Sequence, residues 1–286
     1  MGIRRYAVSI RFEELFLFMG EIQVETRGAV RILTICNERI HNAFSEAMSA
    51  ALLSAFDEAE AHSNVRVVVV TGAGDHAFSS GHDLNELASG QHAQSEVGEA
   101  PFVRPLTMKK PVIAAVNGHC WAAGFMLGLS CDIRIASENA VFGSPGARLG
   151  ILPEGGQLYR LPQLIPPARA LELMLTSVPM TAAEAFRFHL VSRVVPTGQA
   201  LAEAVALADV IASRSPAVVQ AVKAGVNLGL REGSLKAEAY EADTARTLHA
   251  GADAREGIAA FLEKRAPRFG EGPCVLSPSQ PDSTGV

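Results

Sequence analysis

Cysteine is sparse in this chain, and nothing pairs what there is. Cys36, Cys120, Cys131 and Cys274 stand far apart with no CxxC spacing, which suits reduced core thiols in a cytoplasmic setting better than disulfides or zinc ligands. The histidines are equally scattered, with no HExxH or comparable spacing, so no metal is expected. Charge of one sign is lacking too. A formal net charge of -5 provides no broad basic field for nucleic acid, so any anionic ligand has to be held by a local cluster. Nowhere do about 18 uncharged apolar residues run together, so membrane insertion is not expected. The apolar run Leu15 to Met19 follows Glu13 and Glu14 and is too short for an export signal, and Tyr6 stands where a myristoylation signal has Ser or Thr.

What the chain does have is core-forming sequence. Its 286 residues are 48% hydrophobic, enough for one α/β domain or two smaller ones. Short apolar strands (Val30 to Cys36, Val65 to Val70, Val112 to Val116, Ile133 to Ala136) alternate with segments of helical period such as Ser45 to Ala61, where Met48, Leu52, Phe56 and Ala59 share a face. The near-continuous valines of Val65 to Val70 predict a strand buried on both sides, hence a parallel sheet covered by helices. After Pro162 the pattern turns mostly helical: Ala168 to Leu175, Thr181 to His189, a short Leu190 to Val195 strand, then Ala200 to Arg214, Pro216 to Leu228 and Ser234 to His249. Ser45 and Thr181 read as helix N-caps, the latter with a capping-box Glu184. Residues 1–20 read as an N-terminal extension, 21–199 as the α/β core, 200–270 as a helical region and 271–286, rich in Pro, Ser and Gly, as a disordered tail.

Two apolar runs, Val65 to Thr71 and Pro111 to Asn117, each lead into a Gly-bearing turn: Phe78-Ser79-Ser80-Gly81-His82-Asp83-Leu84 and Asn117-Gly118-His119-Cys120-Trp121-Ala122-Ala123-Gly124. Glycines bring main chain close to a ligand, and a helix beginning near Gly124 leaves unpaired N–H groups at its positive end. Such donors suit a developing oxyanion.

In order along the chain, Asn42-Ala43, VRVVVVTGAG, AFSSGHDL, KPVIAAVNG, CDIRIASENAVFGSP, RLGILPEGG, RLP and AREGIAAFLEKR resemble the crotonase superfamily, the enoyl-CoA hydratases and isomerases, from about Glu21 to Phe269. The resemblance implies a spiral of ββα units, a C-terminal helical layer that makes homotrimers or homohexamers, a coenzyme A thioester substrate, and no cofactor beyond the coenzyme A of that substrate. By position it puts the oxyanion-hole N–H donors on His82 and Ala123. It puts thioester contacts on main chain near Ile40, Asn42, Ser80 and Gly81, and a coenzyme A contact reaching a neighbouring subunit on Phe261 and Lys264. Lys264, Arg265 and Arg268 serve equally well as ordinary complements to a helix C-terminus.

The two glutamates that orient water in hydratases of this family fall on Met126 and Gly146, and neither residue can exchange a proton. Glu154, in Pro153-Glu154-Gly155-Gly156, stands where family isomerases keep a single acid. Burial in the acyl channel is expected to raise its pKa, unless it is a solvated turn residue. The leading expectation is therefore an enoyl-CoA isomerase; a hydratase with an atypical acid set and a catalytically silent acyl-CoA-binding protein are the alternatives. Glu86 is a possible second acid. Asp83 and Asp132 read as a helix cap and a turn anchor, Trp121 and Met126 as channel or core residues, and His119 as structural. The His82 imidazole is either turned away or part of the pocket.

Overall fold

The computed structural model describes residues 20–89 and 98–270. The expectations for the N-terminal extension, the tail and Cys274 concern residues outside that range. Among the described residues, ten strands form two sheets. Strands β1 (Glu21–Arg27), β2 (Val30–Cys36), β3 (Val67–Gly72), β5 (Val112–Val116), β7 (Ile133–Ser137) and β10 (Arg193–Val195) lie side by side in that order; β1 and β2 are an antiparallel hairpin and the rest pair in parallel. The second sheet has the order β4 (Ala77–Ser79), β6 (His119–Trp121), β8 (Val141–Gly143), β9 (Met180–Thr181). After β3, β5 and β7 the chain steps from the large sheet into the next strand of the small one, so each turn of the spiral repeats the same path.

The valine run behaves as its composition predicts, because all of β3 is buried. Its side chains alternate between two cores. Val68 and Val70 face a cluster that includes Leu52, Phe56 and Phe125, whereas Val67 and Val69 face one completed by Ala200, Ala204, Ala208 and Ala212. Spacing of four residues puts those alanines on one side of the helix Ala200–Ala212, whose small stripe lies flat against the sheet. Helix Glu46–Ala61 starts where expected, the Ser45 side chain accepting a hydrogen bond from Met48 N, and Thr181 with Glu184 forms the full capping box. The strand expected over Leu190 to Val195 is shorter, Arg193–Val195, because Leu190 N and Val191 N donate to Ala185 O and so close the preceding helix instead.

Two buried asparagines knit the strand ends. Asn117 accepts from Gly72 N and donates to the carbonyls of Gly72, Gly74 and Ala77. Asn42 accepts from Asn37 N and donates to Ala73 O and Ala77 O. Backbone groups at the ends of β2 and β3 and at the start of β4 need partners beyond the ladder, and these amides supply them.

Candidate active site

The first turn leaves β4 and the second leaves β6, and these strands are parallel neighbours, so both turns emerge at the same edge of the small sheet. In the first, Phe44 N donates to Gly81 O and Asp83 N to Phe44 O, each at 2.8 Å. This parallel bridge on either side of His82 directs the His82 N–H away from the Phe44 segment. Gly81 takes φ +101°, and Gly81 N donates to Ser79 Oγ. In the second turn Ala122 takes φ 47° and ψ -119°, and Ala123 opens a helix, Ala123–Ser130, that is buried throughout. As the first helical residue, Ala123 has an N–H without an intrahelical acceptor.

The turns touch. A Cβ built on Gly81 would lie 2.7 Å from Ala122 Cβ and 3.2 Å from Ala123 N, and one on Gly124 would lie 2.5 Å from Ser79 O. Glycine at 81 and 124 is what permits this approach.

A cavity of about 590 Å³ opens at the junction. Among the residues expected at the site, Ile40, Ser80, His82, Ala123, Met126, Gly146 and Glu154 line it. Asn42 does not; its side chain is spent on the backbone bonds above, which makes it a scaffold residue. Gly81 does not line it either and supports it from behind, against Ala122 and Ala123. Phe261 and Lys264 are exposed at the end of the helix Ala252–Leu262 and lie outside the cavity of their own chain.

Glu154 lines the cavity but is exposed, not buried as expected. The reason lies in how the turn packs: Gly155 and Gly156 take φ +58° and +93°, and Gly155 packs against Met126, so the turn's glycines occupy the inner position and the carboxylate stands at the rim. No hydrogen-bond or ion-pair partner holds that carboxylate among the described residues. Glu86 is not a second acid at this site: it is absent from the cavity wall, and its Oε2 accepts from Glu46 N at 2.8 Å, capping the helix that starts there. Asp83 lines the cavity yet caps the helix Leu84–Ala88 through Asn85 N. Asp132 accepts from Val112 N and pairs with Lys223 at 2.8 Å, a structural role.

The His82 imidazole is not turned away. It lines the cavity beside Glu99, Nε2 lying 4.0 Å from Oε1, and stands edge-on to Phe102. Glu99 escaped the sequence reading because it sits in no motif; only the Pro101 that opens the next helical turn marks the place. Gln157 also escaped, although its spacing of three from Glu154 in a tight turn was a usable signal; its Nε2 donates to Glu154 O. His119 does not line the cavity, and partial burial, with the nearby His41 and His76, holds its pKa below the ordinary value. Cys120 and Cys131 are buried core thiols, the latter pushed up to about 12 by burial, whereas Cys36 is only half-buried. Among the described residues no cluster of metal-ligating side chains occurs, and no single helix is long and apolar enough to cross a membrane.

Two sheets wound as a ββα spiral, with paired turns meeting over one cavity, define the crotonase fold. The comparisons agree. The enoyl-CoA hydratase/isomerase family model matches residues 25–272. The chain is 36% identical over 256 residues to the carnitinyl-CoA dehydratase of Proteus mirabilis, covering 87% of this chain and 97% of that one. It is 35% identical over 252 residues to the crotonyl-CoA hydratase of Syntrophomonas wolfei, with the same coverage of 87% and 97%. The crystal structure of an enoyl-CoA hydratase from Bacillus anthracis superposes with a TM-score of 0.84 at 33% identity, over 88% of this chain and 100% of that one. The chain belongs to the enoyl-CoA hydratase/isomerase family of acyl-CoA enzymes.

Proposed function

We propose that the protein is an enoyl-CoA isomerase that moves a C3 double bond of an acyl-CoA to C2. The observation that carries this reading is the acid inventory of the cavity wall: Glu154 is there with an uncommitted carboxylate, and Met126 and Gly146, which also line it, are the positions on which the resemblance puts the hydratase glutamates. Asp83 is committed to its helix cap and Glu99 faces His82.

In the reaction, a Glu154 oxygen takes the C2 proton, the C–H electron pair becomes the C1–C2 double bond of a dienolate, and the thioester oxygen takes the charge. The amides of His82 and Ala123 hold that oxygen, each such donor lowering the barrier by about 3 kcal/mol. Glu154 then returns the proton to C4, the remaining double bond settles between C2 and C3, and the thioester carbonyl reforms. An acyl chain filling the cavity would strip water from Glu154 and strengthen it as a base. Main chain at Ile40 and Ser80 would hold the thioester end; Ser80 Oγ already donates to Ile40 O at 3.1 Å and fixes that side of the wall.

A homotrimer or homohexamer fits the last helix, where Ile258, Phe261 and Leu262 are 64%, 82% and 74% exposed and need a cover. Such an assembly would also let Phe261 and Lys264 reach a neighbour's coenzyme A. The reduced, unpaired thiols suit a cytoplasmic location.

A hydratase is the second reading, favoured by the names of the relatives and by Glu99, a further carboxylate in the cavity wall beside His82. Incubation with 3-enoyl-CoA and with 2-enoyl-CoA separates the readings. Conjugation without water uptake supports the isomerase, water addition supports the hydratase, and binding without turnover supports a silent acyl-CoA-binding protein. Full isomerase rate in Glu154→Gln would remove Glu154 as the base.

A further inference from the structure

A second cavity, of about 190 Å³, opens at the other end of the large sheet. Arg66 leads into β3, Lys110 leads into β5, and the corner between helices Ala200–Ala212 and Pro216–Glu232 adds Arg214. The cavity described above lies beyond the opposite ends of the same two strands and shares no lining residue with this one.

Among the described residues, three cations and no carboxylate line the second cavity, whereas the first has Asp83, Glu99 and Glu154 beside Arg148. Nothing neutralises the three. Arg66 donates through Nη1 to Ala212 O and through Nη2 to Phe269 O, and Lys110 Nζ donates to Ala59 O at 2.8 Å and His62 O at 2.7 Å, all uncharged acceptors. Glu60, the carboxylate that acts on Lys110, is outside the wall and spends both oxygens on Lys109 N and Lys110 N. Arg214 makes no side-chain hydrogen bond or ion pair among the described residues, so its full fork of donors is available.

Lys110 is only 8% exposed, and burial holds its pKa below the ordinary value even though Glu60 acts the other way. A buried cation without a paired charge is costly. Apolar surface from Val65, Ile211 and Val219 keeps the field of the three cations strong inside the cavity. An anion there offsets the cost.

The anion has to be small, because the volume is below the roughly 300 Å³ at which pockets begin to take drug-sized molecules. Guanidinium forks match phosphate oxygens two at a time, and Arg66 and Arg214 both have N–H groups to spare. A carboxylate carries a single charge against three cations; a phosphate carries nearly two.

We propose that this cavity binds a phosphate group, as the free ion or as the monoester end of a larger molecule. The bound phosphate ties the starts of β3 and β5 to the helix corner, and through Arg66 to the chain at Phe269. The site stands whichever reaction the first cavity performs.

Arg214 is the group to change, since it is exposed and holds no other part of the fold. Inorganic phosphate and glycerol 3-phosphate are titrated calorimetrically into the full chain at fixed pH, with sodium chloride keeping the ionic strength constant. The expected result is saturable binding of at least one probe, about ten-fold weaker in Arg214→Gln and less affected in Arg214→Lys. The same probe should raise the thermal unfolding temperature of the parent above its value in chloride. Lys236→Gln, which removes an exposed cation paired with Glu232 at the far end of helix Pro216–Glu232, should bind as the parent does. Binding of both probes with the same dependence on Arg214 identifies a monoester ligand, and binding of inorganic phosphate alone identifies the free ion. Saturable binding of neither probe, equal affinity in the parent and Arg214→Gln, or an equal loss in Lys236→Gln would overturn the proposal.

Discussion

The two turns that meet at the cavity do similar work by different backbone means. The first reaches positive φ with a glycine, Gly81 at +101°; the second does so with an alanine, Ala122 at φ 47° and ψ -119°. An L-residue in such a conformation costs about 1–3 kcal/mol and persists only where its surroundings impose it. Here Ala122 N donates to Gly143 O, and Ala122 O accepts from Met126 N in the first turn of the buried helix. The residues face each other, and a Cβ on 81 would come within 2.7 Å of the one Ala122 already carries. The junction therefore has room for one methyl, so strain tolerated at 122 makes glycine compulsory at 81.

The sharpest way to break this relation is Gly81→Ala. It sets two methyl groups against each other and pushes the Ala123 amide away, so kcat on 3-enoyl-CoA is expected to fall by about 10² to 10³. Adding Ala122→Gly to that variant should restore part of the rate, and a Gly81→Ala protein of full activity would show that the turns need not touch. Next in size is Asn117→Ala, which leaves Gly72 N and three carbonyls without their side-chain partner. A loss of about 3 kcal/mol is expected from urea unfolding. Ala122→Gly alone should act in the opposite sense, stabilising by about 1 kcal/mol once strain relief is set against the greater freedom of an unfolded glycine.

The smallest effect is expected far from both turns. Arg265 donates through both Nη atoms to Glu256, and Arg268 N adds a third bond, which together hold the Glu256 carboxyl at about 2 rather than 4.5. A depressed carboxylate contributes stability above its unfolded pKa and loses it as pH falls through the folded one. Glu256→Gln should therefore be slightly less stable than the parent at neutral pH, with the difference vanishing between pH 4.5 and about 2 and shrinking in high salt. Its rate on 3-enoyl-CoA should match the parent's.

Legibility followed the range of the interactions. Helix Ser234–His249 and strands Val30–Cys36 and Val112–Val116 fall where their local patterns put them, as do the caps at Ser45, Asp83 and Thr181. The two turns were readable because glycine after an apolar run is a local signal. What stayed hidden depends on contacts between distant segments. Nothing near Asn42 says that its amide is consumed by Ala73 O and Ala77 O. Glu86 looks like an acid near the pocket until Glu46 N, forty residues away in sequence, claims it. The exposure of Glu154 follows from Gly155 packing on Met126, and Glu99 meets His82 only through the fold.

The account stands most directly on whether Glu154 removes a proton from C2 of a thioester whose oxygen the two turns hold. A 3-enoyl-CoA deuterated at C2, followed by NMR, reads that step through loss of the C2 label, to C4 or to solvent. The parent protein is expected to lose the label and Glu154→Gln to do so about 10² to 10⁴ times more slowly. Retention of the C2 label by the parent, or equal rates in the two proteins, would contradict the account.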